Sequence, residues 1–276
     1  MKKLLLALTL FLCTNVSAKY REYRISEIPQ NVSSLYLRDA LRYLSLATKT
    51  EAIINATYSG YTGVSVKLLT FQKEGIRVMI IKDKTTNIQS INIIALHNGE
   101  DIYHAASKPM HQGGLFMFPV NEFYLNKYAE IREVIIRNIQ KGVVKINTLG
   151  SASPYGTLLA IELSSMQIPV DTVVMFGAVR FTTQDMHNKI AKTFSTRMIA
   201  LTHENEMNYL TQLKGGYADT LPNEYMICEK PKCSGKIYEL KHFSLNDLLR
   251  HFSEVPQQHA TVYHDSLLKY NEAYSN

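Results

Sequence analysis

Two serines lie where a predicted strand runs into a predicted helix. Residues 143–148 are β-branched and apolar as in a buried strand, and Leu149-Gly150-Ser151-Ala152-Ser153 leads from them into a helix that begins at Pro154. A serine on a tight strand-to-helix turn is exposed above the sheet, where the helix N-terminus favours a developing oxyanion. The pattern is therefore that of a nucleophile elbow. Ser153-Pro154 is also typical of an N-cap followed by proline at the first helical position, and the segment alone favours this cap over the elbow.

Two later segments carry groups that could activate such a serine. The predicted strand 197–202 is followed by His203-Glu204-Asn205-Glu206, and His264 opens the last predicted helix. Taken singly, the first is typical of a solvated polar loop and the second is typical of a surface histidine. The order serine, acid, histidine along the chain is nevertheless that of the α/β-hydrolases.

The predicted elements show how these distant residues could meet. Strands alternate with helices from about residue 76 to residue 203, which indicates an α/β fold with a mostly parallel central sheet and helices on both faces. Ligands of such sheets bind at the carboxyl ends of the strands, so the chemistry should follow Leu96, Thr148, Phe176 and Thr202. Strands are predicted at 64–69, 76–81, 91–96, 143–148, 170–176 and 197–202, and helices at 34–56, 122–141, 154–165, 185–193, 246–252 and 264–273.

The N-terminus predicts export. Met1-Lys2-Lys3 is positive, Leu4–Leu12 is an apolar run too short to span a membrane, and Val16-Ser17-Ala18 supplies small residues at a cleavage site. Residues 1–18 are therefore predicted to be a secretory signal peptide, and residues 19–276 a single domain that is secreted or periplasmic. The chain has 276 residues, 46% of them hydrophobic, which excludes a disordered or collagen-like protein.

Charge and cysteine content narrow the function classes. The net charge is +6 and the charged residues are scattered along the chain, which favours a cationic surface over nucleic-acid binding and leaves contact with an anionic lipid surface open.

In an exported chain, Cys228 and Cys233 predict a disulfide that closes a small loop. Neighbouring histidines keep zinc as an alternative there, but two cysteines are too few for a structural site. His97, His104 and His111 lie seven apart in a loop-like segment with no helical face, so neither a metal site nor a cofactor is expected.

Four motifs in this order resemble those of the class 3 lipases, the α/β-hydrolase family of secreted triacylglycerol lipases. Residues 93–99 are similar to the family's strand and oxyanion loop, which usually ends in Arg-Gly-Thr or Arg-Gly-Ser, and residues 111–116 to its His-x-Gly-Phe segment. Phe176-Gly177-Ala178-Val179-Arg180-Phe181 is similar to Phe-Gly-Ala-Pro-Arg-Val, and residues 202–206 to Thr-His-x-x-Asp, whose Asp is the triad acid. The resemblance extends from about residue 35 to the C-terminus.

The resemblance implies an α/β-hydrolase that cleaves carboxylic esters of lipids, or a small ester, through an acyl-enzyme and without a cofactor. Carried over by position, it assigns the nucleophile to Ser153, the acid to Glu206 and the base to His264, with His259 as the alternative base. It places Asn98, Gly99 and Tyr155 in the oxyanion region. Glutamate in place of aspartate is tolerated, since both acids serve in this fold.

The elbow departs from the family pattern, because Gly-His-Ser-Leu-Gly-Gly appears here as residues 151–156. The residue after the nucleophile normally donates its N–H to the oxyanion, and Pro154 has none. Losing one such donor costs on the order of 10² to 10³ in rate.

Three interpretations of the elbow follow. In the first, Ser153 is catalytic and the N–H of Tyr155 or Gly156, or the side chain of His97 or Asn98, fills the gap. In the second, the nucleophile is Ser151, whose neighbour Ala152 keeps its N–H. In the third, the activity is lost and the pocket binds a lipid or a protein partner. We favour a hydrolase because a serine, an acid and a histidine are all kept at matching places.

Overall fold

The computed structural model describes residues 20–23, 34–97, 101, 104–105, 107–113, 116–194, 198–203, 224–227 and 235–238. Several sequence predictions lie outside these residues and stay predictions: the signal peptide at 1–18, the oxyanion residues Asn98 and Gly99, the acid Glu206, the two candidate bases His259 and His264, the pair Cys228 and Cys233, and the helices at 246–252 and 264–273. Among the described helices, none is both long and apolar enough to cross a membrane.

The described strands are β1 (Tyr20–Tyr23), β2 (Val64–Phe71), β3 (Ile76–Asp83), β4 (Ile88–Ala95), β5 (Met110–Gly113), β6 (Phe116–Asn121), β7 (Val143–Leu149), β8 (Val170–Phe176), β9 (Met198–His203), β10 (Glu224–Ile227) and β11 (Gly235–Tyr238). The described helices are α1 (Ser34–Ala47), α2 (Glu51–Tyr58), α3 (Glu122–Asn138), α4 (Ser153–Ser165) and α5 (Gln184–Phe194).

A seven-stranded sheet with the order β10-β9-β8-β7-β4-β3-β2 forms the centre of the molecule. From β4 to β10 every neighbouring pair is parallel, whereas β2, β3 and β4 form an antiparallel meander. The prediction of a mostly parallel central sheet is confirmed. Two antiparallel pairs lie apart from it, the hairpin β5–β6 and the pair β1–β11.

Helices cover both faces of the sheet, as the sequence predicts. Helix α1 buries Leu37, Leu41 and Leu44 at helical spacing against one face, where α2 also packs. Helices α3, α4 and α5 pack on the other face, where Tyr128 and Ile131 of α3 join the larger core. Each face of the parallel strands is therefore shielded from water, which explains why these strands are apolar on both sides.

Helix α4 is buried on nearly its whole circumference, from Ser153 to Ala160 and again at Glu162 and Leu163. A hydrogen-bonded group joins it to α3: the Tyr128 hydroxyl donates to Glu162 at 2.6 Å, and Arg132 forms an ion pair with the same carboxylate. Because α4 carries Ser153 at its first turn, this packing fixes the position of the candidate nucleophile.

The structure corrects the predicted helix over 34–56. Two helices, α1 and α2, meet at residues 48–50, where the Thr48 hydroxyl donates to the Ser45 carbonyl at 2.7 Å and Thr50 is extended as the N-cap of α2. A threonine hydroxyl bonded to the backbone competes with the helix ladder. The apolar periodicity continues across the break because both helices face the same side of the sheet.

Candidate active site

The candidate residues that the structure describes lie at the carboxyl edge of the parallel strands. In the sheet, Leu149 of β7 pairs with Ile94 of β4 and with Phe176 of β8, and Phe176 pairs with Leu201 of β9. The carboxyl ends of these four strands therefore lie beside one another. This is the edge at which the sequence predicts the chemistry.

The turn from β7 into α4 contains an extra turn of 3₁₀ helix. Gly150 takes a left-handed conformation with φ of 58°, and the 3₁₀ turn covers Gly150–Ala152. Ser153 then has helical angles, φ −58° and ψ −36°. Since only glycine adopts left-handed angles at no steric cost, the tight part of the turn lies at Gly150, three residues before Ser153.

The Ser153 side chain is buried and points toward the loop after β8. It is 1% exposed, and its Oγ accepts the Val179 N–H at 2.9 Å. The N-cap of α4 is Ala152, so Ser153 is not the N-cap that its own segment favours. The hydrogen bond instead joins the first residue of α4 to the loop after β8. Ser151, the alternative nucleophile, is 9% exposed in the 3₁₀ turn.

The loop that donates to Ser153 is held at both ends. Gly177 has a left-handed φ of 61°, and its N–H donates to the Leu201 carbonyl at 2.8 Å. At the other end, the Phe181 carbonyl accepts the Asn121 N–H at 2.8 Å. The Val179 N–H is thus fixed in place before any substrate arrives.

His97 lies near the predicted oxyanion region, half-buried among aromatic rings. Its ring meets the Phe123 and Tyr155 rings edge-on, with centroids 5.4 and 6.0 Å apart, and its Nε2 lies 3.5 Å from Lys127 Nζ. Burial, followed by the Lys127 charge, lowers the pKa of His97 to about 4. The imidazole is therefore neutral near pH 7.

Tyr155 packs between His97 and Tyr124, whose ring centroid is 5.8 Å away. Its hydroxyl is buried without a hydrogen-bond partner among the described residues. Burial raises the pKa of this phenol well above its usual value, so the group is neutral and keeps its proton. The side chain is thus a buried neutral donor beside His97.

His187 of α5 lies close to the loop that follows β8. It is 2% exposed, and its ring meets Phe181 edge-on at 5.3 Å between centroids. Burial, followed by the charge of the buried Arg180, lowers the pKa of His187 to about 3.

Within the described part of the chain, no group of three histidine, cysteine or carboxylate side chains could hold a metal ion.

Comparisons with known proteins point to one fold. No family model and no curated protein matches the sequence. Solved structures do match, among them the lipase of Rhizopus microsporus var. chinensis, with a TM-score of 0.58 at 10% identity over 84% of this chain and 96% of that one. The Lip2 lipase of Yarrowia lipolytica matches with a TM-score of 0.57 at 13% identity, over 72% and 81% of the two chains.

A third solved structure, a triacylglycerol lipase whose catalytic centre is described as a serine protease triad, matches at 11% identity and a TM-score of 0.58. It covers 87% of this chain and 99% of its own. This chain has the lipase fold. The predicted α/β-hydrolase architecture is thereby confirmed, and at these identities the likeness concerns the fold.

Within the lipase fold, the structure brings Ser151, Ser153, His97 and Tyr155 to the carboxyl edge of the sheet. Sequence reasoning missed two features of this edge, the left-handed Gly150 and the Val179 N–H. Both left a trace in the sequence: a glycine directly after the strand, and a valine where the lipase motif has proline.

Proposed function

We propose that this protein is a serine hydrolase of lipid-type carboxylic esters, such as acylglycerols or phospholipids, with Ser153 as nucleophile. The observation that carries the proposal is the hydrogen-bonded Ser153 hydroxyl at the carboxyl edge of a lipase-fold sheet, at the first turn of α4. A hydroxyl at that place can attack a carbonyl while the helix N-terminus stabilises negative charge. The triacylglycerol lipase with a serine triad supports this chemistry by its shared fold.

The proposed reaction is acyl transfer through a triad of Ser153, Glu206 and His264. His264 takes the proton as Oγ bonds to the ester carbonyl carbon, and then gives it to the departing alcohol. Water next attacks the acyl-enzyme with the same base, which releases the acid. Glu206 would fix the tautomer of the imidazole and stabilise its cation. The resemblance supports the roles of Glu206 and His264, with His259 as the alternative base.

Burial constrains how an ester could reach the nucleophile. Because Ser153 is 1% exposed, the residues covering it must shift before a carbonyl carbon reaches Oγ. Ser151 is the alternative nucleophile because it directly follows the left-handed Gly150 and is more exposed. Asn98, Gly99 and the Tyr155 backbone are the proposed oxyanion region.

A second candidate function is binding without catalysis, of a lipid or a protein partner. The observation that favours it is the backbone of the elbow. The left-handed residue of the turn is Gly150, which has no side chain, while Ser153 is helical and the following Pro154 lacks an N–H. A lipase fold altered in this way could keep its pocket and lose turnover.

Ester hydrolysis by the purified mature chain separates these candidates. We would measure kcat and KM on chromogenic esters of increasing acyl length for the parent, Ser153→Ala and Ser151→Ala, with Ser165→Ala at the far end of α4 as the matched control. We expect Ser153→Ala to lower kcat by roughly 10⁴-fold or more, and Ser165→Ala to match the parent. Loss in Ser151→Ala alone would move the nucleophile to Ser151. A parent that is inactive at every chain length, yet folded by circular dichroism, would favour the binding function.

A further inference from the structure

At two positions this chain differs from the lipase motifs in whether the backbone carries an N–H group. Pro154 removes a backbone N–H at the residue after the candidate nucleophile. Val179 adds a backbone N–H where the resembling motif, Phe-Gly-Ala-Pro-Arg-Val, has proline. The structure connects the two sites, because the Val179 nitrogen lies 2.9 Å from Ser153 Oγ. A donor is thus lost on one side of the serine and gained on another.

The Val179 N–H meets the structural demands on an oxyanion donor. It lies in a buried setting, since Ser153 is 1% and Val179 8% exposed, and a hydrogen bond is electrostatically stronger there than in water. Its loop is anchored by the Gly177 N–H on Leu201 and by the Phe181 carbonyl on Asn121, at 2.8 Å each. A donor fixed in advance needs no reorganisation when charge develops.

We propose that the Val179 N–H is a backbone donor to the oxyanion, in addition to the proposed region of Asn98, Gly99 and the Tyr155 backbone, and that it takes the place of the donor that Pro154 lacks. The inference rests on the proposed hydrolase function with Ser153 as nucleophile. In the resting state this N–H binds Oγ. When Oγ forms its bond to the carbonyl carbon and the base takes the hydroxyl proton, the carbonyl π pair moves onto the carbonyl oxygen.

The Val179 N–H can donate to the charged carbonyl oxygen with little movement of either atom. In the tetrahedral intermediate both oxygens are bonded to the same carbon, so they lie closer together than the length of a hydrogen bond. Oγ has become an ether-type oxygen and a weak acceptor, while the former carbonyl oxygen carries the negative charge. The charged oxygen therefore replaces Oγ as the acceptor of the Val179 N–H. When the intermediate collapses, the electron pair returns to the carbonyl and the alcohol leaves with the proton of the base.

The sharpest test removes this one N–H and keeps the side chain. Val179 is replaced by α-hydroxyisovaleric acid, which turns the backbone amide into an ester, and kcat and KM are measured on a chromogenic acyl ester. We expect kcat to fall by about 10² to 10³, with KM within a few-fold of the parent. The same replacement at Val134, on the surface of α3, is the matched control and should leave kcat unchanged.

A reciprocal pair of variants gives an independent result. Val179→Pro restores the motif residue and deletes the N–H, and Pro154→Leu restores a donor after the serine. We expect Val179→Pro alone to lose activity like the amide-to-ester variant, and the double variant to regain at least ten-fold of the loss. If Val179 acted only by packing, a new backbone N–H at residue 154 would not restore the activity that Val179→Pro loses.

The outcomes separate this inference from the function on which it rests. If the parent has no esterase activity, or if Ser153→Ala does not lower that activity, both the proposed function and the donor role are overturned. An active parent that depends on Ser153, combined with an amide-to-ester variant at Val179 within about three-fold of it, would overturn the donor role alone. A large rise in KM at unchanged kcat would also overturn it, because that result means substrate binding rather than stabilisation of the transition state.

Discussion

Ser153 differs from a helix-capping serine in the origin of its hydrogen bond. A capping serine accepts an N–H from the first turn of its own helix. Ser153 accepts the N–H of Val179, which lies 26 residues further along the chain, while its own carbonyl accepts the Thr157 hydroxyl at 3.1 Å. Substituting Ser153 therefore loosens the loop after β8 rather than the helix end. A loss of activity in Ser153→Ala should for this reason be interpreted together with the measured thermal stability of that variant.

His187 predicts how the stability of the fold depends on pH. In the folded protein, burial and Arg180 hold its pKa at about 3, whereas the ordinary value is 6.5. Between these two pH values the unfolded chain binds more protons, so stability falls as the pH decreases from 6.5. At pH 5 the loss from this one group is about 2 kcal/mol. The half-buried His97, with its pKa lowered to about 4, adds to it in the same direction.

His187→Phe should flatten this pH dependence. Urea unfolding at pH 5.0 and 7.5 gives the free energy of unfolding, and circular dichroism is the suitable probe because the chain has no tryptophan. We expect the difference between the two pH values to shrink by about 2 kcal/mol relative to the parent. His104→Phe, at an exposed position, controls for exchanging an imidazole for a phenyl ring. An unchanged pH dependence in His187→Phe would contradict the assignment.

At the scale of elements, helix α4 depends on a glycine for its close approach to β7. A Cβ on Gly156 would lie well inside van der Waals contact of Thr148 Cγ2, and 3.2 Å from Ile146 Cγ2. Gly156→Ala should therefore push the helix off the strand and destabilise the fold by about 1–3 kcal/mol, as overpacked cores do. The midpoint of urea unfolding measures this loss.

Two further variants decide whether the cause is this contact. Thr148→Ser removes the methyl group that the new Cβ meets, so Gly156→Ala should cost less in that background. Gly60→Ala places a Cβ where no atom lies within 4 Å, and it should leave the midpoint close to that of the parent. Equal losses in Gly156→Ala and Gly60→Ala would mean that the effect comes from the glycine backbone and not from the helix–strand contact.

The regular elements of the sheet were predictable from the sequence because their burial is periodic. Strand β8 has the predicted bounds, and α4 begins one residue before its predicted start. The hairpin β5–β6 was not predicted, since its short strands alternate poorly and β6 is fixed by a distant contact, the Asn121 N–H on Phe181. The pair β1–β11 joins residues more than 200 positions apart, which no local pattern reveals.

The location of the candidate site was predictable from the sequence, but its hydrogen bonds and backbone conformation were not. The strand ends and the lipase-like motifs placed Ser153 at the carboxyl edge of the sheet, and it lies there. The bond from Val179 and the left-handed Gly150 depend on how two loops approach each other. Glu206 and His264 belong to segments outside the described residues, so their part in the triad stays a prediction.

At the scale of the whole molecule, charge and exposed apolar side chains suggest contact with an anionic lipid surface. The net charge is +6, to which Lys2 and Lys3 of the predicted signal peptide contribute two. Met117 is 85% exposed on the hairpin β5–β6, whose strand β6 bonds to the loop that holds Ser153. Met166 is 49% exposed at the opposite end of α4. A lipid surface approached by the Ser153 edge would bury Met117 and leave Met166 in water.

This arrangement predicts an oriented, salt-sensitive binding to lipid vesicles. We expect the mature chain to cosediment with phosphatidylglycerol vesicles more than with phosphatidylcholine vesicles, and less so as salt screens the charges. Burying one methionine side chain contributes about 1.5–3 kcal/mol, so Met117→Ser should weaken the partition at least ten-fold, while Met166→Ser should not. Equal effects of the two serine variants would contradict approach by the Ser153 edge. Equal binding to both kinds of vesicle would instead mean that the positive charge of the chain has no part in the contact.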